Sequence, residues 1–137
     1  MSLSELETLR RLRRHRADRA ERMLREAKRH QQTLLVRIEH AEAALVDTRQ
    51  QQALQSAQLL SEHQGHVVSR EALKSWAAKE QSLSAETRRE EGHIHTLHEQ
   101  KAAQVIEVQQ AQQQASQCLR QVEKLQELST LLKQEPT

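Results

Sequence analysis

Two stretches of about sixty residues share one pattern, an apolar side chain every three and then four positions with polar residues between. In the first, eighteen sites at that spacing run from position 3 to 62, and eleven are apolar: Leu3, Leu6, Ala17, Ala20, Leu24, Ala27, Leu34, Ile38, Ala41, Leu45 and Leu59. In the second, eighteen sites run from 73 to 132. Twelve are apolar: Leu73, Trp76, Leu83, Ile94, Leu97, Val108, Ala111, Ala115, Cys118, Val122, Leu125 and Leu132. A seven-residue period held this long predicts two helices, each with one apolar seam, supercoiled left-handedly. The interruptions are polar: Arg10 and Arg13 near the start, then Thr48, Gln52 and Gln55 before the midpoint.

Between the stretches lies Ser61-Glu62-His63-Gln64-Gly65-His66-Val67-Val68-Ser69-Arg70-Glu71. Gly65 suits the left-handed conformation that closes a helix. Ser69 suits the cap of the next, with Val68 and Leu73 as a hydrophobic staple. His63 and His66 flank this bend as turn residues. Ser2-x-x-Glu5 and Ser4-x-x-Glu7 offer two capping boxes at the first helix start. The expected fold is all-α, a long antiparallel two-helix coiled-coil hairpin bent near residues 62–69. It forms one domain over 1–137, with helix one about 3–62, the turn about 63–69 and helix two about 70–133. The rival is one continuous helix dimerising in parallel; a glycine and staple placed between equal halves favour the hairpin. Folding at Gly65 pairs residues whose numbers add to about 132. Leu59 then meets Leu73, Ile38 meets Ile94, Leu34 meets Leu97, Leu24 meets Val108, Ala17 meets Ala115, and Leu6 comes near Leu125. The seam is poorest where Gln52 faces Glu80 and Leu45 faces Thr87. Gly92 weakens helix two there.

Composition narrows the class. Phe and Tyr are absent and Trp occurs once, too little for an ordinary globular core. Helix formers dominate, and the sustained periodicity argues against disorder. A coiled coil reconciles low hydrophobicity with order because it needs only one apolar seam. The single cysteine, Cys118, suits a reducing compartment. The longest apolar run, Ala43 to Val46, is far short of a membrane span, and the N-terminus has no apolar signal region. A cytoplasmic protein is expected, reaching any membrane through partners.

Charge is uneven. Arg10 to Arg29 holds ten basic residues and three acids, Asp18, Glu21 and Glu26, within a chain of net charge +2. Pairs such as Asp18 with Arg22 and Glu21 with Arg25 would absorb part of it. They leave Arg10 and Arg13 standing on the seam itself. Arginine suits forked recognition of carboxylates or phosphates, so an anion-facing role is expected for this block. Nucleic acid fits poorly: basic-zipper helices use an asparagine and small-residue pattern for base contacts that is missing, and one aromatic gives little stacking. Glu91, His95 and His98, at i, i+4 and i+7 beside His93, share a face that could hold a metal. With no cysteine beside them, solvated surface is the preferred reading, and no metal or cofactor is expected. Trp76 is either a cap on the distal seam or a partly exposed anchor for a protein. The glutamine-rich run 109–117 sets its alanines on seam positions and reads as helix surface. No catalytic constellation or phosphate loop appears, so neither an enzyme nor a small-molecule substrate is expected.

The run Leu3-x-x-Leu6-x-x-Leu9-Arg10-Arg11-Leu12-Arg13-Arg14-x-Arg16-Ala17-x-Arg19-Ala20-Glu21 resembles the start of the YscO/FliJ family, the central-stalk proteins of bacterial type III secretion systems. Size and arginine density set the resemblance on the injectisome branch. It implies a two-helix coiled coil similar to the shaft of rotary ATPases. In that family the end bearing both termini enters the pore of a hexameric secretion ATPase and promotes its assembly and activity. The other end reaches the export gate at the inner membrane, and some members bind chaperones. Carried over, the ATPase-facing residues are Arg10, Arg11, Arg13, Arg14 and Arg16, with Arg120 and Lys124 from helix two. Leu73 and Trp76 are the candidates for gate contact. The competing class is a structural coiled-coil scaffold or dimer with no ATPase.

Overall fold

The computed structural model describes residues 2–65 and 67–134. His66, which the sequence reading gave to the bend, lies outside them. The fold is all-α, a helical hairpin of α1 (Leu3–His63) and α2 (Arg70–Gln134). One capping box forms at the start of α1: Ser2 Oγ accepts from the Glu5 amide at 3.2 Å, and Glu5 Oε2 accepts from the Ser2 amide at 3.4 Å. Ser4 is instead inside the helix, its carbonyl accepting from Thr8 Oγ1. At the bend Gly65 has φ +80°, the left-handed region that favours glycine. Ser69 then caps α2, its Oγ accepting from the Ala72 amide at 3.2 Å and its carbonyl from the Leu73 amide.

The chain folds into two compact units, residues 1–33 with 101–137 and residues 34–100. In the first, small side chains make the core. Ala17 and Ala20 pack with Ala115, Cys118 and Val122, and Leu24 closes one side. Leu6, Leu125 and the hydroxyl residue Ser129 are also buried. Gln104 on the seam donates Nε2–H to the Ala27 carbonyl at 3.0 Å, tying α2 to the α1 backbone.

In the second unit Leu97 (1% exposed) packs with Leu34 and Ile38, with Ala41 against them. Beyond Leu45 the seam turns polar. Thr48 Oγ1 donates to Glu90 Oε1 at 2.8 Å, Thr87 Oγ1 to Gln52 Oε1 at 2.7 Å, and Ser56 Oγ to Glu80 Oε1 at 2.7 Å. Two expectations need correction here. Gln52 faces Thr87 rather than Glu80, and Thr87 therefore does not face Leu45: beside the bend the contacts pair residues whose numbers add to 136–139 rather than about 132. The linker is the cause. Its non-helical residues 67–69 carry the chain past the end of α1, so His63 lies level with Trp76, six residues into α2, their rings 5.9 Å apart. The seam also steps by four twice in succession beside the bend. Ser56 and His63 are half-buried where Gln55 and Glu62 were expected, and Ala72 where Leu73 was. Leu73 is 49% exposed and does not meet Leu59 as a seam pair.

Candidate functional site

The basic run lies in the first unit. Arg10 and Arg13 are half-buried at the seam, as their 3,4 spacing requires, while Arg11, Arg14 and Arg16 are exposed. A guanidinium cannot sit in a two-helix seam without an acceptor. Arg13 finds one across the helices, Nη1 donating to the Gln121 carbonyl at 3.2 Å. Arg10 borders a shallow recess with Leu3, Leu6, Glu7, Ser129 and Lys133. On α2, Arg120 and Lys124 are exposed.

The run has few counter-ions. Among the described residues the ion pair Arg49–Glu91 at 2.9 Å stands with the contacts His95–Glu99 at 2.9 Å and His98–Glu42 at 3.4 Å, ionic only with the imidazole protonated, and none involves Arg10 to Arg29. The expected pairs Asp18–Arg22 and Glu21–Arg25 are not among them. An exposed i to i+4 pair adds only about 0.3–0.5 kcal/mol, which the entropy of two long side chains readily offsets. The helix packed alongside forms no ion pair with the run among the described residues. From Val108 to Val122 it has no acidic residue, and Glu107 and Glu123 stand at the two ends of that stretch. Arg10, Arg11, Arg13, Arg14, Arg16, Arg120 and Lys124 thus belong to one unit, 1–33 with 101–137, that holds fourteen Lys and Arg against nine Asp and Glu and so is net positive.

No family model matches this chain, no curated protein matches it, and no solved structure matches it. Function is therefore argued from the residues.

Leu73 and Trp76 belong to the second unit and differ in setting. Trp76 is half-buried. Its indole N–H points to Glu80 Oε1 at 3.4 Å, the oxygen that also accepts from Ser56. Trp76 thus closes the polar seam beside His63. Leu73 stands outside the seam with its side chain open to a partner, as do Leu60 and Val67 nearby. The histidine face resolves into surface pairs. Glu91 takes Arg49, His95 takes Glu99 and His98 takes Glu42, and the described residues hold no group of three that could ligate a metal. One feature had no sequence signal: Glu90 Oε2 is buried without a hydrogen-bond partner among the described residues. A lone glutamate at a seam site reads as a weak position, and only the packed partner helix reveals which oxygen is left over.

Proposed function

We propose that this protein is a non-enzymatic stalk component of a bacterial type III secretion system, binding a hexameric secretion ATPase through Arg10, Arg11, Arg13, Arg14, Arg16, Arg120 and Lys124. Two things support this reading. The leucine-arginine-alanine run 3–21 resembles the YscO/FliJ family. The unit carrying that run keeps its arginines out of ion pairs, which suits a partner that brings carboxylates to them. The second support is the observation that carries the proposal: ten cations with no intramolecular ion pair among the described residues are costly to gather unless something anionic meets them. In this reading Leu73 and Trp76 touch the export gate, the protein stays cytoplasmic, and chaperones are further partners.

The exposed members give the clean test. The triple variant R11E/R14E/R16E spares Arg10 and Arg13, which contribute to packing. It is expected to lose ATPase binding and stimulation of hydrolysis by about tenfold or more, with helicity by circular dichroism unchanged. Unchanged binding and stimulation would leave the scaffold reading in place of the stalk.

A further inference from the structure

A groove of about 520 Å³ runs along one side of the first unit. Its floor includes Ala20, Ala27 and Ala111. Beside the floor stand Met23, 56% exposed, and the carboxylates Glu26 and Glu107. A floor of alanines lets another helix come close, and Met is the side chain best able to fill an irregular gap.

The charges around this groove are ordered. Arg16 lies seven residues before Met23, and Arg19 seven before Glu26. Both therefore share the groove's helix face, about 10 Å back along the axis at 1.5 Å per residue. None of Arg16, Arg19, Glu26 and Glu107 takes part in an ion pair among the described residues. Along the axis the face reads basic, then apolar, then acidic. A surface of that order matches itself when turned by a two-fold axis across the helices at the level of Met23. Arg19 then meets Glu26 of the other copy, twice over.

We propose that this face is a self-association surface, occupied by a second copy of the chain lying antiparallel across it. Met23 of each copy fills the alanine floor of the other. A nucleic acid would match Arg16 and Arg19 but meet repulsion from Glu26 and Glu107. A purely apolar helix would strand all four charges. The inference does not rest on the stalk reading, since it uses only the pattern of this one face.

Sedimentation equilibrium on the full chain tests it. The parent is expected to move with concentration from the single-chain mass of 15.9 kDa towards twice that value. R19E and E26R should each weaken association about tenfold or more, because like charges then face each other at both ends. An equimolar mixture of the two should regain it, since the acid of the first faces the base of the second. M23A, which keeps a helix former, should weaken association with helicity unchanged, and it decides the matter if either charge variant loses helicity. A parent that stays at single-chain mass throughout overturns the proposal. So do charge variants that associate as tightly as the parent, or a mixture no stronger than its components.

Discussion

At Gly65 the backbone stands at φ +80°, where an added Cβ would be strained although nothing lies within 4 Å of it. At Gly92 the space is equally open but the backbone is ordinary helix. The same substitution should therefore act with opposite signs. G65A is expected to destabilise the protein by about 1 kcal/mol, the cost of a left-handed L-residue. G92A should stabilise it by about 0.5–1 kcal/mol by restoring helix propensity. Urea midpoints followed by circular dichroism measure both. Equal signs would mean that the left-handed turn does not limit stability. Both glycines were legible in the sequence, Gly65 as a helix stop and Gly92 as a weak point. The missing counter-ions of the arginine run were not. Asp18 and Glu21 stood at the right spacing, and only side-chain placement decides whether such pairs close.

At the scale of the elements, the seam was readable from Leu6 to Gln52 and from Trp76 to Ser129, where buried and half-buried residues keep the 3,4 spacing. It failed beside the bend. Heptad arithmetic cannot foresee two successive steps of four, nor the shifted pairing beside the bend. Short polar side chains tolerate both, because Thr, Ser, Gln and Glu find hydrogen bonds in several registers whereas Leu and Ile do not. Glu90 shows what that tolerance costs. One carboxylate oxygen takes the Thr48 hydroxyl, and the other is buried unpartnered. E90L should raise stability by about 1–2 kcal/mol, through the orphan oxygen removed and the apolar seam site gained. Thr48 can then turn its hydroxyl to its own helix. A fall in the urea midpoint of E90L would show that water or a partner already satisfies Glu90.

The two units hold themselves together by different means, and that sets where the chain opens. The first buries Leu6, Ala17, Ala20, Ala115, Cys118, Val122 and Leu125. Its alanines bury little area each but leave no polar group to desolvate. The second buries Leu34, Ile38, Leu45 and Leu97, and then sets Thr48, Gln52, Ser56, Glu80, Thr87 and Glu90 among the half-buried Leu59, Trp76 and Leu83 up to the bend. A hydrogen bond adds about 0.5–1.5 kcal/mol net, against about 1.5–3 kcal/mol for a large apolar side chain fully buried. The polar layers are therefore the weaker. Backbone amides of residues 48–63 and 70–90 should exchange with deuterium about tenfold faster or more than those of 13–27 and 104–125. Cys118, buried in the slow region, supplies a second readout. Its thiol should stay closed to a thiol reagent under conditions where the polar layers already exchange. Uniform protection along both helices would mean that the polar layers are as strong as the alanine core. The proposed stalk function would need the unequal result, because opening confined to residues 48–90 leaves the arginine-bearing unit folded while the segment with Leu73 and Trp76 rearranges.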